Sequence, residues 1–225
     1  DAMALELVTH EGRVHGASVL RDDTTEPVFA GATVLATGGI GSCYRTTTNP
    51  DGATGDGIAM AAFAGARIAD MQYVQFHPTA HPGSDPFLVS EAVRGEGAVL
   101  RNAAGERFLP AVHDDAELAP RDIVARAVAD ERARTGEVRL DVSPLDPDFE
   151  VAFPDLADLC ADRGIDPDDG IPVAPAEHYL CGGIAVDDRG HTTLDRLYAA
   201  IDRLDDVDKA LVMMYLDEKS YREMA

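Results

Sequence analysis

FLVSEAVRGEGAVLRNAAGERFLPAVHDDAELAPR, residues 87–121, packs charged side chains among glycines more densely than the rest of the chain. Ser90, Glu91 and Arg94 fall at i, i+1 and i+4, so a helical turn there places Ser90 and Arg94 on one face. Gly95 and Gly97 end that turn and let backbone come close to a neighbour. Pro120-Arg121-Asp122 predicts a helix start with proline in the first turn. Arg121 then stands at the positive end of the helix dipole, a misplacement of about 0.3–1 kcal/mol. A cation held there either marks a site or is paired with Asp122 or Asp115.

The flanking chain alternates strands and helices. Residues 3–36 read as a β-meander: MALELV and VHGASVLR are strands around the turn HEGR, and ATVLATGG is a third strand ending in paired glycines. Thr37-Gly38-Gly39 closes that strand, either as a tight turn or as a ligand edge of an α/β sheet. Thr54-Gly55-Asp56-Gly57 opens a small-residue helix, with Asp56 an N-cap or a hydroxyl-binding acid. MQYVQFHP is a strand delivering His77, which Pro78 holds extended. IVARAVADERART is an amphipathic helix stopped by Gly136. EVRLDVSPL is a strand, and DFEVAFPDLADLCADRG is helical and broken near Pro154. A second histidine, His178, precedes Cys181-Gly182-Gly183 and a further strand, and RGHTTLDRLYAA returns to the sheet.

Acidic residues outnumber basic ones by 41 to 19, a formal charge of -22. Such a surface repels phosphate backbones and anionic lipid, which excludes nucleic acid and membrane as partners of the bulk of the chain. It suits high salt, where self-repulsion is screened. No apolar run reaches the ~18–20 residues that span a bilayer, and no signal peptide is expected. Cys43, Cys160 and Cys181 lack CxxC spacing, so neither a disulfide framework nor a metal site is expected. Each reads as a small buried hydrophobe in a reducing cytoplasm. Residues 1–200 contain no lysine, whereas Lys209 and Lys219 follow within the last stretch, which suggests a tail of different origin.

ATGG (36–39), TNPDGATGDGIAMA (48–61), QFHPTA (75–80), SEAVRGEGAVL (90–100), ELAPRDIVARA (117–127) and HYLCGGI (178–184) follow one another in the order found in flavoproteins of the fumarate reductase and succinate dehydrogenase type. The chain resembles that family over about residues 1–200. The short link between RGEGAVL and LAPRDIVARA favours its soluble members that oxidise L-aspartate to iminoaspartate. The resemblance implies an α/β fold, a partial FAD-binding domain interrupted by an α+β capping domain, with the active site between them. It places 1–73 in the FAD-binding domain, 74–180 in the cap and 181–200 back in the FAD-binding domain.

The resemblance also implies roles. Ala36, Thr37, Gly38, Gly39 and Asp56 match positions lying against FAD. His77, Ser90 and His178 match groups that bind a small dicarboxylate, a task suited to imidazole and hydroxyl donors. Family members often carry threonine at the Ser90 position; serine keeps the hydroxyl. Arg121 matches the residue that exchanges a proton with substrate, and Glu91 and Arg94 its relay to solvent. The implied acceptor is oxygen or fumarate. The implied product leads toward quinolinate for NAD, with quinolinate synthase as the pathway partner.

Two family features are missing from these residues: a GxGxxG after an N-terminal strand, and the late segment with a substrate-binding arginine. The chain alone is therefore expected to bind FAD weakly and turn over little. In place of the late segment stands AIDRLDDVDKALVMMYLDEKSYREMA, whose Leu204, Val207, Leu211, Met214 and Tyr215 recur at helical spacing. This helical C-terminal tail, 201–225, resembles the start of a sigma-factor helix-turn-helix or is an amphipathic helix covering a core edge. The rival functions are fumarate reduction or succinate oxidation on the same scaffold, and a non-catalytic interaction module.

Overall fold

A computed structural model describes residues 2–83 and 86–199, arranged in two compact units. The first takes in the described residues up to Ile40, then Ala53–Tyr73, and continues from Leu180; the second holds Gly41–Gly52 and Val74–Tyr179. The expected FAD-domain range, 1–73, therefore includes a stretch, Gly41–Gly52, that packs with the second unit. The tail expected over 201–225, with its sigma-factor likeness, lies outside the described residues.

In the first unit, β1 (Ala2–His10), β2 (Arg13–Arg21) and β3 (Thr24–Phe29) form an antiparallel sheet in that order. Glu11 and Gly12 both take positive φ, as do Asp22 and Asp23, so each link is a two-residue turn whose twist suits a hairpin. The third meander strand is thus TTEPVF, and the expectation that ATVL supplies it is corrected. Pro27 hid it, since proline argues against a central strand; β3 is an edge strand, where a missing N–H is tolerated. β4 (Thr33–Leu35) instead pairs in parallel with β12 (Leu197–Ala199), Val34 opposite Tyr198.

From the end of β4 the chain reaches α1 (Asp56–Ala64) and then β5 (Ile68–Ala69), which pairs antiparallel with β11 (Gly183–Ile184). The core of this unit gathers Leu7, Val14, Leu35, Met60, Ala61, Ala66 and Leu197. At the mouth of α1 the N-cap is Gly55, in the left-handed region at φ 82°, with no side-chain cap. Asp56 is the first helical residue, not the cap, so its charge meets the dipole directly.

The second unit is built on β6 (Val74–Ala80), which pairs with β10 (Ala174–Leu180), and on a sheet ordered β7 (Val99–Asn102), β8 (Val138–Asp141), β9 (Ile171–Pro172). α2 (Glu91–Gly95) and α3 (Arg121–Thr135) carry the charged residues; α4 (Phe149–Ala152) and α5 (Pro154–Asp162) flank the break at Pro154. Val124, Ala127 and Val128 of α3 join Val93, Leu100, Leu109, Leu140 and Ile171 in one core. Pro120 is the N-cap of α3, one position earlier than the first-turn site expected, and Arg121 is its first residue. Of the cysteines, Cys160 is buried, but Cys43 and Cys181 are exposed, which corrects the reading of all three as core residues. Their small size suits a core but does not compel one.

Candidate functional site

In the second unit, β6 brings the first ligand-type residue inward. Gln75, His77 and Thr79 share one face of the strand by its two-residue period. Thr79 is joined to the start of α2: its hydroxyl donates to the Val89 carbonyl at 2.9 Å, and the Val89 amide donates back at 2.9 Å. That pairing sets Ser90 and Glu91 beside the strand. Ser90 is the N-cap of α2, with ψ 145°, and its hydroxyl oxygen accepts from the Ala92 amide at 3.2 Å. The expected common face of Ser90 and Arg94 is thereby corrected. Ser90 stands outside the helical spiral and is exposed, while Arg94 is buried at 2 %.

His77 is buried, and its Nδ1 accepts from the Thr79 amide at 3.2 Å. An accepting Nδ1 leaves the ring proton on Nε2. Burial first, then the fields of His178, Arg121 and Arg94, push His77 down to about 4, with Glu91 opposing. His77 is thus a neutral Nε2–H donor at physiological pH. His178, on β10, meets it edge to face with ring centroids 5.4 Å apart, and its Nδ1 lies 3.0 Å from Thr48 Oγ1.

Arg121 reaches from the first position of α3 to both neighbouring elements. Its Nε donates to Glu91 Oε2 at 2.6 Å and its Nη1 to Gln75 Oε1 at 2.9 Å. The pairing with Asp122 or Asp115 considered above does not form; Asp122 pairs with Arg126 instead. The hydrogen bond from Arg121 is the largest influence holding the Glu91 carboxyl below its usual range. Arg94 Nη2 stands 3.9 Å from the same Glu91 oxygen, an ionic contact too long for a hydrogen bond. Arg94 Nη1 donates to the Glu117 carbonyl, while Nε and Nη2 are buried without hydrogen-bond partners. Burial lowers the hold of this guanidinium on its proton, with Glu91 pulling the other way. A buried donor left unmade costs about 1–3 kcal/mol, so the fold sustains this arrangement against its own stability.

Gln75 and Thr48 escaped the sequence reading. Gln75 had a signal, since it lies two residues before His77 on the same strand face. Thr48 had none; its partner is 130 residues away.

The residues expected against FAD belong to the first unit. Ala36, Thr37 and Gly38 are exposed at the C-terminal end of β4, where a parallel pair places ligands. Gly38 has φ 71° and open space where a Cβ would stand. Gly57 of α1 packs on this ledge so closely that a Cβ would lie 2.0 Å from Thr37 Oγ1. Asp56, bonded by the Thr54 hydroxyl at 2.9 Å, is next to Gly57 in the same turn. A bare, glycine-lined backbone ledge beside an acidic helix mouth fits part of a flavin dinucleotide, and these residues would hold it.

Among the described residues no helix is long and apolar enough to cross a membrane. Comparison with known proteins gives a consistent result. The chain is 66% identical over 206 residues to an L-aspartate oxidase of Halobacterium salinarum, covering 88% of this chain and 40% of that protein. It is 49% identical to L-aspartate oxidase 1 of Ralstonia nicotianae, over 88% of this chain and 40% of that one. A solved quinol-fumarate reductase with menaquinol molecules superposes with TM-score 0.78 at 34% identity, over 88% of this chain and 38% of that chain. The chain thus spans about 40% of the length of the curated relatives it matches. The family model described as FAD binding domain matches residues 1–200, and the chain belongs to that family, whose cofactor is FAD.

Proposed function

We propose that this chain is part of an enzyme that oxidises L-aspartate to iminoaspartate with FAD, supplying quinolinate and hence NAD synthesis. The observation that carries the reading is the string Gln75–Arg121–Glu91–Arg94 set beside a neutral, buried His77. Two L-aspartate oxidases among the relatives support the choice of substrate. Val74–Tyr179, with Gly41–Gly52 packed on it, acts as the cap, and the other described residues as the FAD-binding part. A cytoplasmic setting accords with three cysteines that lack the spacing of a disulfide framework.

The substrate carries two carboxylates and an ammonium group. His77 donates through Nε2–H to one carboxylate without adding a charge, and His178 and the Ser90 hydroxyl supply further donors. Arg121 uses Nε and Nη1 on protein partners. Its Nη2, with no hydrogen bond among the described residues, is the atom turned to substrate chemistry. FAD, when bound, accepts the hydride. The amino nitrogen gives up a proton to Arg121, which takes it only after passing one of its own to the relay carboxylate Glu91, whose Oε2 lies 2.6 Å from Arg121 Nε. Arg94 is the next group in the string, buried behind Glu91 with its Nη2 3.9 Å from Glu91 Oε2.

Oxygen or fumarate reoxidises the cofactor, and quinolinate synthase receives the product. The test is turnover of the complete gene product on L-aspartate against succinate, with oxygen and fumarate as acceptors. Aspartate-dependent formation of hydrogen peroxide or succinate is expected. Succinate oxidation with aspartate inert would replace this reading by the succinate dehydrogenase one, for which the likeness to a solved fumarate reductase at 34% identity is the ground.

A further inference from the structure

Glu177 is buried at 1%, yet its partners are a hydroxyl and an amide, not a cation. Its Oε2 accepts from Thr47 Oγ1 at 2.7 Å and from Asn49 Nδ2 at 2.9 Å. Burying a carboxylate is costly even when two neutral donors offset part of the penalty, so a site that keeps one buried suggests a purpose. The residues it gathers point to one. Thr47 bridges Glu177 in parallel register, and the Thr48 amide donates to the Glu177 carbonyl at 3.1 Å. Asn49 Nδ2 also donates to the His178 carbonyl at 3.0 Å, and Thr48 Oγ1 meets His178 Nδ1 at 3.0 Å. Gly41 leaves room for the cluster: a Cβ there would stand 2.5 Å from Glu177 Oε2 and 2.6 Å from Thr47 Oγ1.

We propose that Glu177 is a positioning residue: its carboxylate anchors residues 47–49, and through Thr48 it fixes the orientation and tautomer of the neighbouring His178 ring. Successive residues point to opposite sides of a strand, so Glu177 cannot touch the groups that His178 faces. It works instead on the loop that holds the ring from behind. The role deepens the proposed reading, because it rests on His178 holding a substrate carboxylate.

The test uses the complete protein with 15N-labelled histidine, His178 being assigned by its loss in His178→Asn. Wild type is expected to show two well-separated imidazole nitrogen shifts, the mark of one tautomer. Glu177→Ala should bring them together and raise KM for L-aspartate about tenfold while kcat changes less, the pattern of lost binding. Glu177→Gln keeps an acceptor oxygen and should restore KM to within about threefold of wild type. Thr47→Val, nearly isosteric, should move the His178 shifts in the same direction, and serves if Glu177→Ala does not fold. Unchanged His178 nitrogens in Glu177→Ala or Thr47→Val overturn the proposal, whatever happens to activity. The nitrogen shifts remain decisive even if L-aspartate proves not to be the substrate, so the two failures are told apart.

Discussion

Arg121 Nε lies 2.6 Å from Glu91 Oε2, a contact that joins α2 to α3 at the candidate site. The two residues are 30 positions apart, and each is the first residue of its helix. Lysine cannot serve both Glu91 and Gln75 with a planar fork. Arg121→Lys is therefore expected to lower kcat about 10²–10⁴-fold, the usual worth of a positioned acid or base, with flavin content unchanged. Steady-state turnover with a flavin spectrum checks this; near-normal kcat would remove Arg121 from the proton path.

Arg94 separates stability from activity. Its Nε and Nη2 are buried without hydrogen-bond partners. An unbranched apolar chain should fill the same space without that penalty. Arg94→Met is expected to be as stable as wild type or up to about 2 kcal/mol more so, while kcat falls. Thermal midpoints and turnover measured on the same samples decide it. A variant that loses stability and keeps its rate would make Arg94 a structural residue only.

His77 predicts a pH window. Its folded value, about 4, lies below the ordinary 6.5. Between those values the unfolded chain binds a proton that the folded chain refuses, so stability falls as pH drops from 6.5 to 4 and levels off below. The loss is about 3 kcal/mol at 1.4 kcal/mol per unit. Urea midpoints at pH 7, 5.5 and 4 should fall more steeply for wild type than for His77→Gln. Parallel profiles would mean that His77 does not resist protonation.

The ledge at the end of β4 depends on the bare Cα of Gly57. A Cβ there would meet the Thr37 side chain, with Thr37 Oγ1 at 2.0 Å and Thr37 Cβ at 2.8 Å. Gly57→Ala is expected to push α1 from residues 36–39, costing about 1–3 kcal/mol. Flavin content of the complete protein should fall with it. Thr37→Gly removes all three clashing atoms, Oγ1, Cβ and Cγ2, so the double variant should recover part of the lost stability, measurable as a coupling in a double-mutant cycle. Additive losses would show that the contact is not what positions the ledge.

What the chain carries on its face is local. The helix over 121–135 follows from Val124, Ala127 and Val128 at helical spacing and from Gly136 behind them, because a 3.6-residue period needs no knowledge of partners. The two-residue turn at 11–12 and the extended His77 before Pro78 are likewise properties of a few adjacent residues. Ordered motifs identified the family, since each reports chemistry that survives without coordinates. The edge strand Thr24–Phe29 was missed because its proline obeys a rule about position in a sheet, and that position is set by neighbours.

Only the tertiary structure decided who meets whom. Arg121 looks locally toward Asp122, yet it binds Glu91 and Gln75, 30 and 46 residues away. His178 takes its ring partner from Thr48, 130 residues earlier. Hydrogen bonds and desolvation act over a few ångströms in space with no regard for separation along the chain. A periodicity can therefore be read from residues in order, but the protonation of His77 and the buried nitrogens of Arg94 exist only once β6, α2 and α3 have packed.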